Sequence, residues 1–193
     1  NLTENSILDP NGDATTALVL NADGTITVAS GTAAGTYTVT YTICEKLNPT
    51  NCDQVNESVV VEAATIDAIL ETFDPINGAD GGTTVTVLTS DELNGVILDP
   101  ADVNLTENSI LDPNGDATTD LVLNADGTIT VAAGTAAGTY TVTYTICEKL
   151  NPTNCDHVTE SVVVEAATID AIAETIDPVN GFEGGTTISV LTS

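Results

Sequence analysis

The chain has no Met, no Trp, two Phe and one His, and it sets only two basic side chains against 29 acidic ones, a formal net charge of −27. Each shortage excludes something. Without a basic patch there is nothing to release counterions from phosphate, so nucleic acid is excluded as a partner. An anionic membrane surface is disfavoured for the same reason. The two Phe, Phe73 and Phe182, do not fall at matching positions of the repeat described below, so with no Trp there is no shared aromatic platform for stacking a sugar. No apolar run approaches the length of a membrane span, which excludes direct insertion by a helix, and no signal peptide is present. Charge of one sign keeps a chain soluble and repels its own copies.

What remains is not the composition of a disordered chain. The hydrophobic fraction is 41%. Val, Ile, Thr and Tyr stand in alternating runs, which suit a half-buried pleated surface. Residues 1–90 align with residues 104–193 without a gap at an offset of 103, and 79 of the 90 pairs are identical. The 11 differences include Gln54/His157, Asn56/Thr159, Leu70/Ala173 and Ala79/Phe182. A period of 103 is too long for a solenoid unit and fits an independent β-sandwich domain of immunoglobulin-like size.

Strand signals recur within one period. Thr83–Ser90 alternates, and Ala101–Asn108 is a weaker candidate. Ala17–Leu20 and Thr25–Ala29 flank Asp23-Gly24, a tight-turn dipeptide. Thr36–Cys44 is the strongest strand, with Tyr37, Val39, Tyr41 and Ile43 on one face and threonines on the other. Gln54–Glu62 returns antiparallel. Helical periodicity is absent, so the expected fold class is all-β: tandem immunoglobulin-like sandwiches in a linear array. Tyr37 and Tyr140, each two residues after a Gly, suit a corner in which the hydroxyl bonds back to upstream backbone. The alternative is an ordinary core aromatic with its hydroxyl at the rim.

The four cysteines form two pairs, Cys44 with Cys52 and Cys147 with Cys155, each bracketing EKLNPTN. No His stands at zinc-ligand spacing. A disulfide closing the hairpin loop is the expected state and implies an oxidising, extracellular setting; two free thiols on adjacent strands are the alternative. Such a nine-residue closure contributes roughly 2.5 kcal/mol on the loop-entropy account.

No catalytic constellation is visible. His157 replaces Gln54 of the other copy, Ser residues lack a His–Asp pattern, and no carboxylate pair announces divergent pKa values. The expectation is a protein that is not an enzyme. Lys46 and Lys149 sit inside the short Cys-bracketed loops, a poor place for an isopeptide bond. One ligand fits the composition, Ca²⁺, which takes six to eight oxygens. Asp9, Asn11 and Asp13, with their copies Asp112, Asn114 and Asp116, place alternate oxygens in a turn. Asp74, Asn77 and Asp80 supply another set, with Asp177, Asn180 and Glu183 in the copy. The same residue types are standard turn formers, so solvated turns are the alternative.

The segment NADGTITVASGTAAGTYTVTYTICEKLNPTNCDQV, with the upstream NGADGGTTVTVLTSDELNG, resembles a repeat of very large surface proteins of Bacteroidetes, the SprB-type gliding-motility adhesins. The run TYTICEKLNPTNCD carries most of the resemblance, which covers nearly the whole period. It implies a secreted cell-surface protein, exported by the type IX route and built of many immunoglobulin-like modules. The implied role is a stalk or filament segment serving adhesion or gliding motility. Its partners would be neighbouring repeats, with any external surface or glycan met through other domains. A different reading makes each repeat itself a glycan- or protein-binding module. Few aromatics and little arginine, the usual hot-spot residues, favour the spacer.

The chain ends suggest modules 1–90 and 104–193 joined by 91–103. A second frame is preferred. The strand after the Cys-bracketed loop should end a domain, and residues 63–65 follow it directly. Asp67–Phe73 and Thr83–Ser90 then open the next domain, and 91–103 is an internal loop whose Leu93, Val96, Ile97 and Leu98 are too apolar for a free linker. On this frame 1–64 is the C-terminal part of one repeat, 65–167 a complete repeat, and 168–193 the opening strands of the next. The end pieces could complete each other only between neighbouring chains, by strand complementation.

Overall fold

The computed structural model describes residues 1–191; Thr192 and Ser193, the end of the expected 168–193 segment, lie outside the described residues. Alternating sequence folds into strands over much of residues 2–165. In chain order they are β1 Leu2–Leu8, β2 Leu18–Leu20, β3 Ile26–Val28, β4 Gly35–Cys44, β5 Cys52–Val61, β6 Ile66–Asp67, β7 Ile76–Asn77, β8 Gly82–Thr83, β9 Glu92–Leu93, β10 Val96–Ile97, β11 Val103–Leu111, β12 Leu121–Leu123, β13 Ile129–Val131, β14 Gly138–Glu148 and β15 Cys155–Glu165. A 3₁₀ turn, Pro100–Asp102, precedes β11. The protein is all-β, as the period-2 pattern requires.

Two bodies of near-identical sequence take different forms. The second has a four-stranded sheet in the order β11-β14-β15-β7 and a three-stranded sheet in the order β12-β13-β8. Their inward side chains form one core that includes Ile110, Leu121, Ile129, Tyr140, Val142, Tyr144, Ile146, Val162 and Val164. Residues 65–103 complete that core with Phe73, Val87, Leu88, Leu98 and Val103. β7 runs parallel to β15, with Ile76 opposite Val164. β8 pairs with β13, with Thr83 opposite Thr130. The first body has the matching sheets β1-β4-β5 and β2-β3 and no strand corresponding to β7 or β8. Its core cluster is smaller: Ile7, Leu18, Tyr37 and Val39. The segment 168–191, which repeats 65–88, contains no strand and is almost wholly exposed.

Three expected elements come out differently. Thr83–Ser90 is a strand only at its start. Val87 and Leu88 are both buried, which a strand cannot do with consecutive side chains on one face. The chain stays beside β13 through Thr84 N to Ile129 O (3.0 Å) and Val87 N to Gly127 O (2.9 Å). Between these, the Ile129 amide donates to the Thr84 hydroxyl (2.9 Å), a side chain standing in for a ladder carbonyl. Asp67–Phe73 is a strand at Asp67 alone, because carboxylates take its later amides, as described below. The expected internal loop 91–103 holds a hairpin, β9 to β10. Asn94 (φ 55°) and Gly95 (φ 70°) turn it, as an Asn-Gly pair in a two-residue turn should. Leu98 is buried while Val96 and Ile97 are exposed.

Both disulfides close the hairpins that the cysteine spacing suggested. Cys44 lies opposite Cys52 and Cys147 opposite Cys155 in the ladders, and both pairs are bonded with Cα atoms 4.1 Å apart. Tyr37 and Tyr140 make the corner: their hydroxyls donate to Ala33 O and Ala136 O, each at 3.0 Å.

Candidate functional site

The seam between the two bodies is built by the Cys-bracketed loop of the second. Glu148 is buried at the end of β14. Its carboxylate accepts from the Asn154 side-chain amide (2.9 Å), which also donates to Ala64 O (2.8 Å), the last residue before the second body. Asn151 Oδ1 accepts from Ala34 N of the first body at 2.7 Å. Lys149 holds the loop down from the other side. Its amide donates to Asp102 O (2.8 Å) and its ammonium to Ala101 O. Thr65 and Asn94 exchange two bonds, Asn94 N to Thr65 O (2.7 Å) and Thr65 N to Asn94 Oδ1 (3.0 Å), fixing the exit of the linker. In the first copy the same loop faces outward. There Asn48 and Asn51 both donate to Glu45 (2.8 and 3.1 Å), which holds that carboxyl below its ordinary range, Asn48 more than Asn51. The sequence EKLNPTN therefore carries two arrangements, one closed on itself and one gripping the neighbouring body.

Inside the second body four carboxylates do work that sequence reasoning did not assign. Asp156 and Glu160 lie on β15 at the same parity as Val158, Val162 and Val164, so they point inward. Asp156 accepts from Ala68 N (2.9 Å), and both Glu160 oxygens accept from Glu71 N (3.1 Å). Asp91 accepts from Ile69 N (2.7 Å), and Glu71 accepts from Ser90 N. The Tyr144 hydroxyl donates to Val87 O (2.9 Å) and lies 3.1 Å from Asp91 Oδ2. Buried backbone must find partners; here side chains replace a ladder along residues 68–71. Burial raises the Asp91 carboxyl to about 6. The Ile69 amide and Tyr144 hydroxyl pull it back, and the charges of Glu71 and Asp156 push it up. Burial raises Glu160 to about 7 against the Glu71 amide, with Glu71 and Asp91 adding to the rise. Burial, followed by the Asp91 charge, pushes the Tyr144 phenol far above its usual value. The sequence indicated no carboxylate pair with divergent pKa values, because desolvation on a buried strand face, not spacing, raises these two. The parity of Glu160 within β15 was the available signal.

The candidate cation residues are placed as follows. Asp9 Oδ1 accepts from Asn11 N (2.8 Å) and Asp13 N (2.9 Å), and Asp112 does the same for Asn114 and Asp116, both at 2.9 Å. These bonds, with the Asp13 and Asp116 amides foremost, lower both carboxyls. Asn77 Oδ1 accepts from Ala79 N (2.9 Å), and Asp74 and Asp80 are exposed. Asn180 Oδ1 accepts from Phe182 N (2.9 Å), close to Asp177 and Glu183 in sequence. Among the described residues no three His, Cys, Asp or Glu side chains gather as a metal site. No helix among them is long and apolar enough to cross a membrane.

No family model matches the chain, and no curated protein does. Solved structures offer distant likenesses. Human protocadherin-24 EC1-2 is 20% identical, with 85% of this chain and 82% of that one covered and a TM-score of 0.38. The human desmocollin-1 ectodomain is 11% identical, over 85% of this chain and 33% of that one, at 0.39. Drosophila OTK extracellular domains 3–5 are 16% identical, over 84% and 52%, at 0.32. Against the longer of these the chain spans about half or less of the matched protein. Likenesses of this size assign neither a family nor a function, and the sheet order given above stands on its own.

Proposed function

We propose that the chain is a stretch of an extracellular, adhesin-type repeat array whose modules act as a stalk or filament. The observation that carries this reading is the clasp at the seam, where Asn151 and Asn154 of one body bond to Ala34 and Ala64 of its neighbour. Cysteines bracket that clasp, and the disulfides suit an oxidising compartment. In this reading residues 65–167 are the complete module, because every strand and core residue of the second body lies within them. A gliding-motility adhesin of the SprB type, exported by the type IX route, is the specific proposal that the repeat's resemblance supports. In this reading the modules bear load and carry out no catalysis.

Two experiments test it. The chain applied to glycan arrays and to adhesion surfaces should bind none specifically; specific binding would favour the reading in which each module is itself adhesive. Replacing Asn151 by Ala, which removes the bond to Ala34 and leaves Asn154 on the buried Glu148, should leave the melting of the sheets unchanged. It should also broaden the distance distribution between the bodies in X-ray scattering. An unchanged distribution would contradict a load-coupling clasp.

A further inference from the structure

Asparagine followed by glycine is the dipeptide most open to attack by its own backbone, because the glycine nitrogen has no side chain beside it to crowd the approach to the asparagine Cγ. The sequence holds such pairs at Asn11-Gly12, Asn77-Gly78, Asn94-Gly95, Asn114-Gly115 and Asn180-Gly181. The attack is favoured by a glycine N–H free to lose its proton, by a donor on Oδ1 that stabilises the developing oxyanion, and by access for water. Gly12 N and Gly115 N are committed to Asp9 O and Asp112 O, each at 3.0 Å. Gly78 N is committed to Glu165 O (2.9 Å), and Gly78 is buried. Asn180-Gly181 lies outside both bodies. At Asn94-Gly95 the three conditions coincide. The Gly95 amide, in the turn between β9 and β10, has no hydrogen-bond acceptor among the described residues. Asn94 Oδ1 accepts from Thr65 N at 3.0 Å. Both residues are exposed, and a Cβ placed on Gly95 would meet nothing within 4 Å.

We infer that Asn94 is a site of spontaneous modification, closing on Gly95 to a succinimide that reopens as aspartate or isoaspartate, and that the isoaspartate form loosens the seam between the two bodies. The Gly95 nitrogen gives its proton to solvent base and bonds to Asn94 Cγ. The Cγ–Nδ2 bond breaks, and the amide nitrogen takes a proton from solvent and leaves as ammonia. Water then opens the ring, so no oxidant or reductant is needed. Opening at Cγ leaves aspartate. Opening at the Asn94 backbone carbonyl leaves isoaspartate, whose main chain runs through Cβ and Cγ and whose free carboxylate is the former backbone carbonyl. The consequence follows from where the pair stands. Asn94 N donates to Thr65 O (2.7 Å), so with the Oδ1 bond it fixes the chain where it leaves the linker. Asn94 also lines the cavity between the bodies, with Ser30, Gly31 and Ala64 on one side and Asp102 on the other. A two-residue turn with φ of 55° and 70° closes only with the ordinary backbone spacing. The longer isoaspartyl path opens it and withdraws both bonds to Thr65. The reaction at Asn94 is independent of the stalk reading; its meaning as a change in coupling between modules rests on that reading.

Peptide mapping by mass spectrometry tests this, on the intact chain incubated at mildly alkaline pH below its melting temperature. The peptides around Asn11 and Asn114 are told apart by Ala17/Asp120, so each site is followed by itself. Asn94 should convert faster than Asn11, Asn77 and Asn114 by roughly fivefold or more, the factor that one net hydrogen bond on the glycine amide sets. In guanidinium chloride, with the disulfides intact, the four rates should converge. Equal rates in the folded chain overturn the inference. An advantage for Asn94 that persists in denaturant does so too, since it would then belong to the local sequence and not to the fold. The fraction carrying isoaspartate at residue 94, separated by its added charge, should give a broader distance distribution between the bodies in X-ray scattering than unmodified chain, with both sheets still melting as before. An unchanged distribution would overturn the loosening of the seam. The stalk reading fails separately, through specific binding of unmodified chain to a glycan or surface.

Discussion

At the scale of the residue, the repeat supplies its own controls. Tyr144 and Tyr41 occupy the same place in the same sequence. Tyr144 is buried on Val87 O and Asp91, and Tyr41 meets Glu57 at 3.5 Å in solvent. Tyr144→Phe leaves buried acceptors unsatisfied and should cost about 1–3 kcal/mol. Tyr41→Phe should change stability by less than about 0.5 kcal/mol. Calorimetry on the two variants would measure both, and equal effects would contradict the asymmetry. Protonation gives a second comparison. Asp91 rises from 3.8 to about 6 and Glu160 from 4.5 to about 7 in the folded chain. A carboxyl raised on folding adds stability that is fully present below its unfolded pKa and lost as pH rises through the folded one. The second body should therefore melt higher at pH 5 than at pH 8, and Glu160→Gln should remove much of that slope. The exposed Asp9 and Asp112 act in the opposite sense, with support lost as pH falls below the ordinary carboxylate range. If their turns are held by backbone amides alone, melting should be equal in millimolar Ca²⁺ and in chelator at matched ionic strength. A rise with Ca²⁺ would give these aspartates the cation role that their spacing suggested.

At the scale of the element, what alternates was legible and what is held by side chains was not. β4 and β14 lie where period-2 patterning and the tyrosines put them. The disulfide hairpins follow from cysteines set across two predicted strands. Residues 68–73 and 84–90 also read as strands, but amides of the first go to Asp156, Asp91 and Glu160, and the second meets β13 partly through the Thr84 hydroxyl, which accepts from Ile129 N, all partners distant in sequence. No local pattern can show that. The Asn94-Gly95 hairpin was legible as a dipeptide and is short enough to pass for a loop. The clasp was not legible, because identical EKLNPTN loops adopt different bonds according to whether a neighbouring body is within reach. Two changes test these elements. Gly78→Val, with a backbone oxygen 2.2 Å from the new Cβ, should cost about 3 kcal/mol or more, and the same change at Gly181 nothing in the isolated chain. Replacing Cys147 and Cys155 by Ser should lower the second body by roughly 2.5 kcal/mol.

At the scale of the whole molecule, one sequence stands in two states of completion. In the second body residues 65–103 bury the inner face; in the first the same face is open. Hydrophobic burial is the dominant favourable term in folding, so stability should differ sharply between stretches that share nearly every residue. Hydrogen exchange read by mass spectrometry measures this within one sample. The peptides covering β5 and β15 differ in mass through Gln54/His157 and Asn56/Thr159, so their protection can be followed separately. In dilute chain, Cys155–Glu165 should exchange far more slowly than Cys52–Val61. Equal protection of the two strands would contradict the account.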